Sequence, residues 1–335
     1  MAAPVLLALR ALNLGDLLTV VPALRALRRH HPDHRIVLAT AGVLAPLAAL
    51  TGAVDEVLPT PAPDALACTE PVDVAVNLHG AGPRSHQALD AVAPRRRIGL
   101  GRPESGWPGP PAAELDHLHE RVRWCAMLSA HGIAADPDDL RLPPPAAPDD
   151  LRLSPPTGAS PGSAQPVVVH PGAAFGSKCW PADRFAALAR RLAPLGPVVV
   201  TGGPAERSLA GRVAAEAGLP DDRVLAGRTS ISELAALVAG AGLVVSGDTG
   251  VAHLAAAFGR PSVVLFGPVG PERWGPPEGP HRALTHPEVR RGDPFADDPD
   301  PALLAVGVDE VEAACLAVTA RNGCVTGVVS GTTAS

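Results

Sequence analysis

The sequence predicts an α/β protein made of two Rossmann-like domains. Short Val/Leu runs alternate with Ala/Leu-rich helical patterns on both sides of a Pro-rich middle stretch. The strands are continuous apolar runs, the pattern of parallel sheets covered by helices on both faces. The 335 residues are enough for two such domains.

The elements follow in order. VLLALRA (5–11) reads as a strand, and GDLLTVVPALRALRRHH (15–31) as a helix with Leu17, Val20, Val21, Leu24 and Leu27 on one face. RIVLAT (35–40) is a strand, 44–52 a helix, and 54–60 and 72–80 further strands. A longer helix is expected over 112–133. Pro, Gly and Ser crowd residues 142–166, the composition of a linker. Beyond it, strands at 166–172, 197–203, 223–227, 243–248 and 261–267 alternate with helices at 181–196, 204–218, 230–242 and 250–259. Residues 287–301 read as a solvated loop, 308–318 as a last helix and 321–335 as a frayed tail.

Composition narrows the function. Aromatic residues are only 3% against 46% hydrophobic, so the cores are Ala, Val and Leu. The net charge of −6, with no long basic block, argues against nucleic-acid binding by phosphate neutralisation. Five scattered cysteines, Cys68, Cys125, Cys179, Cys315 and Cys324, form no zinc pattern and suit a reducing, cytoplasmic compartment. The start lacks a basic leader and cleavage site, and no stretch suits a membrane span.

Five stretches carry candidate chemistry, each with a plain structural alternative. In LNLGDLLTVVPALRAL (12–27), Asp16 opens a helix after a strand; it is either an N-cap or a general base. In VNLHGAGPRSHQALD (76–90), His79, Arg84 and Ser85 follow a strand, and Arg84 suits an anionic substrate group or simply solvent. In VVVHPGAAFGSKCWPADRF (167–185), Ser177 and Lys178 sit on a small-residue loop that could cradle phosphate, although no Walker motif is present. VVVTGGPAERSLAGRV (198–213) supplies Gly202 and Gly203 for close backbone approach, and Glu206 for a helix dipole or a ribose diol. In VVSGDTGVAHLAAAFGRP (244–261), Asp248, Thr249, Gly250 and His253 gather where a buried strand meets a helix. Amides and a hydroxyl there suit an anion, and a capped helix with a core histidine is the alternative.

Taken together these stretches resemble the bacterial heptosyltransferases, glycosyltransferase family 9. The resemblance is carried by GDLLTVVPALRALR, LHGAGPRS, HPGAAFGSKCWPADRFAALA, TGGPAE and LAGRTSISELAALVAGAGLVVSGDTGVAHLAAAFGRPSVVLFGP, in order from about residue 6 to 318. It implies the GT-B fold, two Rossmann-like domains facing across a cleft. Residues 1–152 would bind acceptor, 153–166 link, and 167–305 bind donor. A C-terminal helix over 306–320 would pack back on the N-terminal domain, before a flexible tail over 321–335.

The resemblance further implies inverting transfer of a heptose from ADP-heptose to an acceptor hydroxyl, with no metal or cofactor required. Asp16 would be the catalytic base, with Gly15, His79 and Arg84 on the acceptor side. Ser177, Lys178, Gly202, Gly203, Glu206, Thr229, Asp248, Thr249, Gly250 and His253 would hold the donor. The family's usual acceptor is lipopolysaccharide core; a small natural-product intermediate is the competing acceptor. Residues 281–301 lack the Cys-rich string many members carry, and Cys179 stands where a basic residue is common. A nucleotide-sugar epimerase or hydrolase, a transferase using another nucleotide sugar, and a non-catalytic sugar-nucleotide binder are the alternatives. The sequence leaves the oligomeric state open.

Overall fold

The computed structural model describes residues 3–102, 104, 106–146 and 165–325, with side chains as far as Ala320. Of the expected linker, 153–166, only Gln165 and Pro166 lie among the described residues, as does only 321–325 of the expected tail. The chain divides into two compact units, Met1–Pro143 and Pro144–Ser335. This boundary precedes the one expected at 152.

The first unit contains β1 (Val5–Leu9), α1 (Leu14–Thr19), α2 (Val21–His30), β2 (Arg35–Thr40), α3 (Ala45–Leu50) and β3 (Glu56–Pro59). It continues with β4 (Val72–Asn77), α4 (Pro83–Asp90), β5 (Arg96–Ile98), α5 (Ala112–Leu115) and α6 (Glu120–Ala130). The sheet order is β3-β2-β1-β4-β5, all parallel. The expected helix over 15–31 is two helices: Pro22 stands in the first turn of α2, where its missing N–H costs nothing, and α1 ends before it. The expected helix over 112–133 is likewise split, and His119 Nδ1 caps α6 by accepting from Arg121 N at 3.1 Å.

The second unit contains β6 (Val167–His170), α7 (Ala182–Leu192), β7 (Val198–Val200), α8 (Arg207–Ala217), α9 (Ile231–Ala239), β8 (Leu243–Gly247) and α10 (Gly250–Ala257). Then come β9 (Ser262–Leu265), α11 (Pro271–Trp274), β10 (His281–Leu284), α12 (Pro301–Leu304) and α13 (Val308–Val325). The order is β10-β9-β8-β6-β7, again all parallel. Residues 223–227 add no strand; they touch β7 through the single bridge Val200–Val224.

Two C-terminal expectations change. Helix α13 buries Val311, Ala314, Cys315 and Val318 in the core of the second unit, which also holds Val245, Val263 and Leu265. It runs through Val325, past the expected start of the tail. The 287–301 segment is not simply solvated, because Asp300 is fully buried. Its carboxylate caps α12 through Ala302 N at 2.9 Å and accepts from Gly292 N at 3.1 Å.

In open parallel sheets, ligands bind beyond the carboxyl ends of the strands, where the strand order reverses. Here the order reverses between β1 and β4 in the first unit and between β6 and β8 in the second. The residues following those four strands are 10–16, 78–83, 171–179 and 248–250, which contain most of the candidates.

Candidate functional site

In the first unit, the chain after β1 turns at Arg10, a residue the motif reading passed over. Arg10 is 1% exposed. Its guanidinium donates to Asp16 Oδ1 at 2.9 Å, to the Asp16 carbonyl at 3.1 Å and to the Leu78 carbonyl at 2.6 Å. Burial pulls the Arg10 pKa down, and the charges of Asp16 and Glu120 oppose that pull. Asp16 is not the N-cap. Asn13 holds that position, and Asp16 Oδ2 accepts the Asn13 N–H at 3.3 Å from one turn inside α1. Gly15 precedes it within the same turn.

After β4, buried Asn77 organises the loop. Its side-chain oxygen accepts from His79 N at 3.0 Å, and its amide donates to Ser85 Oγ at 3.0 Å. His79 Nδ1 is buried without a partner, and burial with the nearby Arg10 and Arg84 charges pushes the imidazole down to about 4. His79 is therefore neutral at physiological pH. Arg84 lies on the exposed start of α4, paired with Asp64 at 2.7 Å.

In the second unit, Lys178 ends a short turn after β6, and Asp248 follows β8. Lys178 Nζ meets Asp248 Oδ2 at 2.7 Å. Thr249 holds the N-cap position of α10, but its side chain makes no capping bond, and Oγ1 is buried without a partner. The first-turn amides of a helix have no intrahelical acceptor. An unpartnered hydroxyl and first-turn amides thus lie at the start of α10, next in sequence to the Asp248 that holds the Lys178 ammonium, and groups of this kind suit an anion. His253, one turn on, lies edge-on to Trp274 with centroids 6.1 Å apart.

A neighbouring group surrounds Glu206. Its carboxylate accepts from Gly203 N at 2.6 Å and lies 4.0 Å from His170 Nε2. His170 is buried, Nδ1 sits 3.0 Å from Thr201 Oγ1, and burial lowers its pKa. A Cβ on Gly172 would fall on the Glu206 carboxylate, so a larger residue there would displace that side chain. Thr229 is half-buried and precedes Ser230, whose hydroxyl caps α9.

Ser177 belongs elsewhere. It is fully buried and donates to the Pro294 carbonyl at 2.9 Å, while its N–H donates to Ala296 O at 2.9 Å. It fastens the 294–297 loop, and its hydroxyl hydrogen is committed there. Among the described residues, no group of three His, Cys, Asp or Glu side chains could hold a metal ion.

The two cation–carboxylate pairs are built in opposite senses. At Arg10–Asp16 the cation is 1% exposed and the carboxylate 21%. At Lys178–Asp248 the cation is 21% exposed and the carboxylate 8%. The first pair presents a carboxylate to solvent, and the second presents an ammonium.

Two Rossmann-like domains, each built on an all-parallel sheet, are the architecture of the GT-B fold. The family model for glycosyltransferase family 9 (heptosyltransferase) matches residues 121–288, half of the chain, and the chain belongs to that family. The match begins in α6 and leaves Asp16 outside. The chain is 37% identical over 163 residues to lipopolysaccharide heptosyltransferase 1 of Pseudomonas aeruginosa, covering 48% of this chain and 42% of that protein. The alignment thus spans about two fifths of that relative's length. Among solved structures, a family 9 glycosyl transferase from Veillonella parvula aligns with TM-score 0.75 and 18% identity, covering 96% of this chain and 99% of that one. E. coli ADP-heptose lps heptosyltransferase II aligns with TM-score 0.71 and 20% identity, covering 95% and 99%. These structures show the shared fold. No helix among the described residues is long and apolar enough to cross a membrane.

Proposed function

We propose that this protein transfers a heptose from ADP-heptose to an acceptor hydroxyl, with inversion at the anomeric carbon and without a metal ion. The observation that carries this reading is the opposite exposure of the two pairs: a carboxylate at the edge of the first sheet and an ammonium at the edge of the second. A general base must reach the acceptor, and a phosphate-binding cation must reach the donor. Family membership and the names of the relatives support heptose as the sugar and lipopolysaccharide core as the acceptor.

Asp16 takes the acceptor O–H proton as the acceptor oxygen bonds to the anomeric carbon. The bond from that carbon to the β-phosphate oxygen breaks, and its electron pair leaves with ADP. The growing charge is met by Lys178, the Thr249 hydroxyl and the amides of Thr249 and Gly250. Glu206 accepts from the adenosine ribose diol, with Gly202 and Gly203 letting the nucleotide approach the backbone. Thr229 lines the donor side. Asp248 orients Lys178, and His253 supports the turn from within α10. Gly15, His79 and Arg84 line the acceptor side, His79 as a neutral hydrogen-bonding group. Cys68, Cys125, Cys179 and Cys315 are free thiols, which suits a cytoplasmic enzyme.

The test is a panel of nucleotide sugars screened by thermal shift, followed by product analysis with lipopolysaccharide core and with no acceptor. ADP-heptose should stabilise the protein most, and transfer should require the acceptor and persist in EDTA. Epimer or free heptose formed rapidly without acceptor would establish the epimerase or hydrolase instead. Stabilisation by another nucleotide sugar alone would reassign the donor.

A further inference from the structure

We propose that Arg10 is a positioning residue for Asp16: one guanidinium locks the carboxylate and the Leu78–Gly82 loop in a common frame, and Glu120 holds the guanidinium from behind. The proposal rests on the reading of Asp16 as the base.

Arg10 ends the central strand of the first sheet, a place where an apolar side chain would be cheaper to bury. The chain instead surrounds it with partners from four elements. Nε donates to the Asp16 carbonyl, Nη1 to the Leu78 carbonyl and Nη2 to Asp16 Oδ1. Nη2 also faces Thr19 Oγ1 at 3.4 Å and Glu120 Oε1 at 3.5 Å. The Arg10 backbone N–H is fixed on Ala39 O at 2.9 Å.

The support behind it is equally built. Glu120, on α6, is 4% exposed, and its Oε1 accepts from Trp124 Nε1 at 2.8 Å. The Trp124 ring lies 5.0 Å from the Arg10 guanidinium and 5.1 Å from that of Arg123. Arg123 meets Glu120 at 3.7 Å and Asp116 at 2.8 Å. A surface ion pair needs none of this; a buried guanidinium needs all its donors matched.

The consequence falls on Asp16. Arg10 occupies Oδ1, whereas Oδ2 accepts the longer bond from Asn13 N. Oδ2 is therefore the oxygen left to receive the acceptor proton. The same fork grips the Leu78 carbonyl, next to His79, so the base and the acceptor-side loop move as one piece. A lysine cannot reproduce this, because its point charge lacks the planar fork.

The test uses the full chain with the donor and acceptor found by the panel. Arg10→Ala should lower kcat about 100-fold, the scale of a 1 Å misplacement, with donor KM within about twofold of the parent. Added guanidinium ion should restore at least a tenth of the lost rate, and methylammonium should not. Arg10→Lys should recover only a minor part, and Glu120→Gln should lower kcat by less than Arg10→Ala does. A folded Arg10→Ala protein with near-parental kcat, or full recovery by Lys, overturns the proposal. A loss seen only in thermal stability, with no guanidinium rescue, overturns it too. If Arg10→Ala does not fold, unchanged kcat in both Arg10→Lys and Glu120→Gln overturns it.

Nitrogen–proton NMR checks the clamp without turnover. The Arg10 Nε–H should exchange slowly and shift in Asp16→Asn. No shift in an active enzyme rejects the clamp. A shift in a protein that transfers no sugar keeps the clamp and rejects the transferase reading.

Discussion

Asp16 and Asp248 each face a cation beyond the end of a buried parallel strand, yet the pairs are exposed in opposite senses. In the first unit the guanidinium is sealed in and the carboxylate reaches solvent. In the second the carboxylate is nearly sealed and the ammonium reaches solvent. Burial thus separates the supporting group from the presented one. The same two charge types present a carboxylate at one sheet edge and an ammonium at the other, as the proposed base and anion site require, and sequence proximity to a strand end does not distinguish them.

Breaking the first presented group should have the largest effect. Asp16→Asn should cut transfer by a factor on the order of 10²–10⁴, the range of general-base catalysis, while calorimetric ADP affinity stays within about twofold. Breaking the second inverts this pattern. Lys178→Ala should weaken ADP binding about 10- to 100-fold, as loss of a charge-assisted hydrogen bond implies, and calorimetry reads it directly.

A third effect confines itself to the stability of the first unit. His86 is fully buried, stacked on Trp107, and neither ring nitrogen has a partner. Burial and Arg102 push its pKa down to about 4, from 6.5 in the unfolded chain. The unfolded state therefore binds more protons between those values. The stability linked to neutral His86 is complete above pH 6.5 and is lost as pH falls toward 4. The loss should be of the order of 1–3 kcal/mol, read from denaturant melts, and His86→Leu should remove this part of the pH dependence.

The smallest change sharpens the second site. Thr249→Val replaces a buried hydroxyl that has no protein partner. ADP affinity should fall about fivefold, and the free protein should melt no lower than the parent, because no internal hydrogen bond is lost. A lower melting temperature with unchanged ADP affinity would make the hydroxyl structural.

The alternation of strands and helices was legible because the central strands are unbroken apolar runs, as in VVV at 167–169 and LVV at 243–245. The edge strands β5 (RRI) and β10 (HRAL) were not, since their polar residues break that pattern. Pro22 was visible, but whether it starts a second helix or kinks one depends on packing. Asp16, Lys178 and Thr249 were legible as polar residues at strand ends. Their supports were not. Arg10 reads as the end of an apolar strand, and its partner Glu120 stands 110 positions away. Asp300 hides in an acidic, Pro-rich string that looks solvated, and Ser177 shares a motif with Lys178 while pointing into the 294–297 loop. An Arg inside an apolar run was the signal that could have found the first of these.

A crystal structure with ADP bound tests the central claim most directly. The account predicts the β-phosphate at the start of α10, within hydrogen-bond distance of Thr249 Oγ1, the Thr249 and Gly250 amides and Lys178 Nζ, with Asp16 away from the nucleotide. A β-phosphate held by Arg10 or Arg84, or one that leaves Thr249 Oγ1 and Lys178 untouched, would contradict it.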